Sequence, residues 1–258
     1  MELHTANVVA LVPARLKSTR FPNKLLKEFN GKPIIWWSLN IALRLNFASN
    51  VVVLTPDKKL IEYASSFPGV EVAEIDGRSG IEKAYLYYCE NKSYDYYITI
   101  PADEPAINPS EINKAWPYIK DKLDLYNFDV VTLYTKFYSF DDLKSNLSCK
   151  LVTNRRDRIL YFSRNIIPAT KSGELLPLEE YKKHVGVFAF SKSSFVKLGT
   201  QFWWGWNSEV EKIEGLEQNK LIDYGALVAG VEIKHIGFGI DVPAQLKQLE
   251  ERIKNVNS

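Results

Sequence analysis

Residues 8–12, Val-Val-Ala-Leu-Val, run straight into Pro13-Ala14-Arg15-Leu16-Lys17-Ser18-Thr19-Arg20-Phe21-Pro22-Asn23-Lys24, and this junction constrains the fold more than any other stretch. The apolar part has no polar alternation, which marks a strand buried on both faces, as in parallel α/β sheets. The part that follows is a polar loop carrying Arg15, Lys17, Arg20 and Lys24. Open α/β sheets bind ligands outside the carboxyl ends of their strands, so a basic loop there suits an anion such as a triphosphate. Arginine grips phosphate oxygens through two parallel hydrogen bonds. A solvated basic loop with no ligand has the same composition, and residues elsewhere must decide between the two.

Apolar β-type runs then alternate with helical patterns. Strands are predicted at 51–54, 70–73, 96–100 and 130–134, with helices at about 34–45, 59–65, 81–89 and from Pro109. That order implies a mostly parallel sheet with helices on both faces. From about Lys150 the pattern changes: Lys150-Leu151-Val152 and Ile159-Leu160-Tyr161-Phe162 flank Asn154-Arg155-Arg156-Asp157, which reads as a hairpin turn. A strand at 185–190 follows. Ser208 and Glu211 form a capping box opening one helix that runs towards Gly225. Val231 to Ile236 is the last predicted strand and Ala244 to Lys254 the closing helix. With no repeat, low-complexity stretch or linker, residues 1–258 read as one domain.

A formal net charge of +2 gives no global field favouring nucleic acid or a membrane, so any anion site is local. The two cysteines, Cys89 and Cys149, offer neither a disulfide framework nor zinc-ligand spacing. No secretory signal and no apolar stretch of about 20 residues is visible, which points to a cytoplasmic protein. Asp103 and Asp241 each stand just past an apolar run. Carboxylates so placed can hold Mg²⁺, whose remaining ligands are waters and substrate phosphates. Either alone reads equally as a helix N-cap; together with the basic loop they make a more specific pattern. Trp203, Trp204 and Trp206 suggest aromatic burial or a dimer contact over a sugar-stacking platform.

These residues resemble a known family. Pro13-Ala14-Arg15, Ser18-Thr19-Arg20, Pro22, Lys24, Gly31-Lys32-Pro33, Ser79-Gly80 and Asp103-Glu104-Pro105 stand in its order. So do Tyr161-Phe162-Ser163-Arg164, His184 with Gly186, Glu211-x-Ile213-Glu214-x-Leu216-Glu217-Gln218 and Gly239-x-Asp241-x-Pro243. The chain is similar to the 3-deoxy-manno-octulosonate (Kdo) cytidylyltransferases over nearly its whole length. The resemblance implies a Rossmann-like nucleotidyltransferase fold with a smaller β-rich lobe, at about 135–210, for sugar binding and dimerisation. It implies attack of a 2-keto-3-deoxy sugar acid on the α-phosphate of CTP, giving CMP-sugar and pyrophosphate, usually by a homodimer. Arg15 and Lys24 would clamp the triphosphate, with Ala14, Ser18 and Arg20 in the same loop and Ser79-Gly80 near the cytosine. Asp103 and Asp241 would carry Mg²⁺. Arg164 would face the sugar carboxylate, with His184, Glu217 and Gln218 around its hydroxyls.

The match breaks in three places. The family's Gln-Gly before Asp-Glu-Pro is Pro101-Ala102, its Thr and Arg after Ser-Gly are Ile81 and Lys83, and a usual Tyr is Phe188. Losing hydroxyl and amide groups changes which substrate a hydrogen-bonding site accepts. The alternatives are therefore transfer to a different acidic sugar or phosphonate, and a non-catalytic nucleotide-binding homologue.

Overall fold

A computed structural model describes residues 6–18, 20–201 and 208–257. They form two compact units, one of the chain up to Lys114 with the chain from Ile236, the other Ala115–His235. Thr19, Trp203, Trp204 and Trp206 lie outside the described residues.

In the first unit, β1 (Val8–Pro13) is the expected buried strand, Val8 to Val12 being at most 1% exposed. After the basic loop a 3-10 turn, Lys24–Leu26, leads to a small hairpin of β2 (Glu28–Phe29) and β3 (Lys32–Pro33). Its turn residues Asn30 and Gly31 have φ of 47° and 74°, the left-handed pair that suits a two-residue hairpin. α1 (Ile34–Leu43) starts directly after Pro33, which stands where no helical N–H is needed. Then come β4 (Asn50–Leu54), α2 (Lys58–Ser65), β5 (Glu71–Ala73), α3 (Gly80–Glu90), β6 (Tyr96–Thr99) and the first residues of α4 (Pro109–Asp124), whose remainder from Ala115 belongs to the second unit. β6, β1, β4 and β5 lie in that order, all parallel, with Ala10 opposite both Val51 and Ile98. Parallel strands share one carboxyl edge, so the loops after Pro13, Leu54, Ala73 and Thr99 leave the sheet on the same side.

The second unit holds β7 (Val130–Lys136), α5 (Phe140–Lys144), β8 (Lys150–Thr153), β9 (Ile159–Ser163) and β10 (Lys182–Ser191). α6 (Lys192–Gln201), α7 (Glu209–Glu214), α8 (Glu217–Asp223) and β11 (Val228–Glu232) complete it. β10 runs antiparallel to β7 and β8, β8 antiparallel to β9, and β11 parallel to β7. The β8–β9 hairpin is the predicted one, its turn fastened by Asn154 Oδ1, which accepts from the N–H groups of Arg156 and Arg158 at 2.8 and 3.1 Å. The fold is mixed α/β: the long strands of the first unit are all parallel, and those of the second pair mostly antiparallel.

Two expectations are corrected. The helix read from Ser208 towards Gly225 is two helices, α7 and α8. Gly215 takes φ 61° and its N–H bonds Glu211 O at 2.8 Å, a left-handed cap that a glycine adopts without a Cβ clash. The last strand covers Val228–Glu232 instead of 231–236. Beyond it the Thr135 hydroxyl bonds both the N–H and the C=O of His235 (3.3 and 3.2 Å), replacing the strand ladder. In the first unit, α9 (Ala244–Asn257) closes the described chain. Among the described residues no helix is long and apolar enough to cross a membrane.

Candidate active site

The loop after β1 folds onto its own main chain and onto its neighbours. Ala14 N–H bonds Leu54 O at 3.0 Å, Asn23 N–H bonds Leu16 O at 3.3 Å, and Ser18 Oγ accepts from Phe21 N–H at 3.3 Å. Asp57 Oδ2 accepts from Leu16 N–H at 2.8 Å. The loop thus keeps its shape without regular structure, and its basic side chains are free to differ in their partners. Arg15 is exposed and donates through Nη1 to Arg78 O at 3.1 Å. Arg20 Nη2 pairs with Asp241 Oδ1 at 3.1 Å.

Lys24 is the centre of the arrangement. Its ammonium donates to Asp103 Oδ2 at 2.5 Å, to Ile240 O at 2.9 Å and to Asp241 Oδ1 at 3.4 Å. Asp103 and Asp241, far apart in sequence, therefore meet on one cation. Their main chains are joined as well, Ile240 N–H bonding Asp103 O at 2.9 Å. Gln245 in the first turn of α9 holds the other side, Oε1 accepting from the N–H groups of Asp241 and Val242 at 2.6 and 3.0 Å. Burial raises the Asp103 carboxyl above the ordinary range; Lys24 opposes that rise. Burial works against the Lys24 charge too, but Asp103 and then Asp241 outweigh it, and the ammonium is held above its usual value. The side chains of Asp103 and Asp241 remain 32% and 27% exposed, so both carboxylates keep part of their surface in contact with solvent.

Among the described residues no three acidic, histidine or cysteine side chains gather around a common metal position. A pair of carboxylates that already converge on a positive charge is a hard-oxygen donor set that fits Mg²⁺, which takes waters and phosphates for the rest. Ser79 is the N-cap of α3, its Oγ accepting from Glu82 N–H at 3.2 Å, and Gly80 is the first helical residue. Glu82 in turn bonds the Arg78 N–H and guanidinium at 2.7 and 3.1 Å.

In the second unit, three of the four sugar-binding candidates surround Cys149. His184 N–H bonds Cys149 O at 2.9 Å, and Gln218 Nε2 donates to Cys149 Sγ at 3.4 Å. Arg164 is close enough to favour the thiolate, although burial dominates and pushes the Cys149 thiol up to about 12. The His184 ring lies between Phe162 and Phe188, at 5.1 and 5.3 Å, with Nε2 2.9 Å from Thr132 Oγ1. Arg164 spends its guanidinium on main-chain oxygens: Glu214, Asn146, Leu147 and Gly215, at 3.2, 3.3, 3.0 and 3.2 Å. Glu217 opens α8 next to Gln218.

Several supporting groups escaped the sequence reading. Glu214 accepts from Tyr161 Oη, Ser163 Oγ and Arg164 N–H at 3.2, 2.8 and 2.8 Å; its place inside the Glu-x-Ile-Glu motif was the available signal. Lys150 is fully buried, its ammonium bonding the carbonyls of Ser145, Ser148 and Arg164 at 2.7, 3.0 and 2.8 Å. No sequence signal marks it.

A family model described as Cytidylyltransferase matches residues 9–233. A 3-deoxy-manno-octulosonate cytidylyltransferase of Bdellovibrio bacteriovorus is 32% identical over 96% of this chain and 98% of its own. That of Parabacteroides distasonis is 32% identical over 93% and 95%. A solved CMP:2-keto-3-deoxy-manno-octonic acid synthetase complexed with CTP superposes with a TM-score of 0.80 at 28% identity, covering 98% of this chain and 99% of that one. The inositol-1-phosphate CTP transferase of T. maritima shares the fold, with a TM-score of 0.60 at 15% identity over 98% and 97%. With the family model spanning most of its length and relatives above 30% identity covering nearly all of it, the chain belongs to the cytidylyltransferase family.

Proposed function

We propose that this enzyme transfers the cytidylyl group of CTP to Kdo or a close 2-keto-3-deoxy sugar acid, releasing pyrophosphate. The observation that carries the proposal is the meeting of Asp103 and Asp241 on the Lys24 ammonium in the unit that begins with the basic loop. Nucleotidyl transfer asks little covalent chemistry of a protein; it asks for in-line positioning and neutralised charge. Arg15, Arg20 and Lys24 supply positive charge for the triphosphate. Asp103 and Asp241 would hold Mg²⁺. Bound there, the ion would stabilise charge developing on the phosphates and lower the pKa of the attacking hydroxyl.

In the same proposal His184, Glu217 and Gln218 contact the sugar. Arg164 has five N–H donors and gives four to carbonyls, which leaves one among the described residues for a substrate carboxylate. The reading extends to a cytoplasmic homodimer. Phe188 supports a second version, in which the acceptor is a variant sugar acid. It presents a bare ring 5.3 Å from His184 where the resembling family carries a phenol, and Pro101-Ala102 removes an amide.

A matrix of four nucleoside triphosphates against several 2-keto-3-deoxy sugar acids, read by pyrophosphate release, tests both versions. CTP with Kdo is expected to react under the first, and CTP with a relative of Kdo in preference under the second. Silence of every CTP pair sinks both.

A further inference from the structure

The main chain at Arg15 is gripped on either side by charged groups that belong to neither the anion clamp nor the acidic pair. Lys83 Nζ donates to Ala14 O at 2.8 Å and to Leu54 O at 3.4 Å. Leu54 O also accepts from Ala14 N–H at 3.0 Å, so one strand-end carbonyl ties both the residue and the lysine. On the other side, Asp57 Oδ2 accepts from Leu16 N–H at 2.8 Å. Lys83 is only 3% exposed, a depth that lysine reaches when its nitrogen is satisfied. Space for it is built in: a Cβ at Gly77 would stand 2.9 Å from Lys83 Cγ and 3.3 Å from Lys83 N. Burial, then the nearby Arg15 charge, lowers the Lys83 pKa, while Asp57 and Asp76 act in the opposite direction.

We infer that Lys83 and Asp57 are positioning residues of the nucleotide site, fixing the backbone on both sides of Arg15 so that its guanidinium is presented to the triphosphate already ordered. The inference rests on the nucleotide-transfer reading above and adds the groups that make the clamp rigid. A clamp ordered in advance loses less freedom on binding and holds its charge where the transition state needs it. The position matters because Lys83 stands where the resembling family carries arginine. A lysine with two carbonyl acceptors does the anchoring with a single nitrogen.

Calorimetric binding of CTP with Mg²⁺ is the primary measurement, with steady-state pyrophosphate release from CTP and Kdo beside it. Lys83→Met keeps the stem and removes the donor. It is expected to weaken CTP binding and raise the CTP KM by about tenfold, with the Kdo KM within about twofold of wild type. Lys83→Arg keeps donors at the same depth and is expected to return CTP binding to within about threefold. Unchanged CTP affinity in Lys83→Met, equal rises in both KM values, or no recovery in Lys83→Arg overturns the inference. If Lys83→Met does not fold, Asp57→Ala decides: it is expected to show the same CTP-selective loss, and wild-type CTP binding overturns the inference. Wild-type protein that binds CTP yet releases no pyrophosphate with Kdo overturns the choice of acceptor, and the binding results still decide on Lys83. Wild-type protein that does not bind CTP overturns both.

Discussion

Two groups of cations in this chain are satisfied in opposite ways. Lys24 and Arg20 lean on the carboxylates of Asp103 and Asp241, which keep part of their surface open. Lys150 and Arg164 lean on main-chain carbonyls, seven in all between the two side chains. A carboxylate can change partners, giving up an ammonium for a metal ion or releasing an arginine to a phosphate. A carbonyl locked in a loop has no such alternative, so the second arrangement holds shape. One region holds its cations on groups that can change partners and the other on groups that cannot, although a count of basic residues would not separate them.

The largest effect expected from this contrast is on turnover. Asp103→Asn keeps the volume and an acceptor for Lys24 but removes the charge that a divalent cation requires. Pyrophosphate release should fall by roughly a thousandfold, the scale of several kcal/mol of lost charge stabilisation. The melting temperature should stay within a few degrees; near-normal turnover would remove Asp103 from the exchanging group. Lys150→Met should do the reverse, unfolding in urea about 2–4 kcal/mol more easily because three buried carbonyls lose their donor.

The Lys150 effect also carries a pH signature. Burial lowers its pKa from 10.5 to about 8, with Arg164 and Lys183 adding to the decrease and Asp142 opposing it. Between those values the unfolded chain binds the proton and the folded chain does not, so raising the pH favours folding. The Lys150 contribution is complete above 10.5 and is lost as pH falls through about 8. The stability gap between wild type and Lys150→Met should therefore widen from pH 8 to 10, and a flat gap would contradict the burial of a lone ammonium. The smallest effect concerns thiols. Cys89 is exposed and Cys149 buried, and the Cys149 thiol, up at about 12 through burial, stays protonated at pH 8. One thiol per chain should react with a disulfide reagent in the native protein and two after denaturation.

What could be read from the sequence divides along the same line. The buried strand at Val8–Val12, the basic loop and the strand-end acids were legible because apolar runs and local charge patterns are properties of neighbouring residues. The β8–β9 hairpin was legible for the same reason. Gly31-Lys32-Pro33 was legible as the turn into α1, but β2 and β3, two residues each, are too short to leave a pattern. The break at Gly215 was hidden by a polar and apolar spacing that continues across it. Arg164 and Lys150 were illegible as structural cations because their acceptors are carbonyls, which every residue carries and no side chain announces. Lys83 shows the limit most plainly: its depth depends on Gly77 and on two strand ends that only the fold brings together.

The bond between Ile240 N–H and Asp103 O has an implication for how the protein is made. A nascent polypeptide that has already folded its first parallel strands possesses Lys24 and Asp103, yet it has no second acid until residue 241 leaves the ribosome. On the role proposed for Asp241, unfinished molecules would be unable to consume nucleotide, and the appearance of activity during synthesis would report the arrival of that late segment.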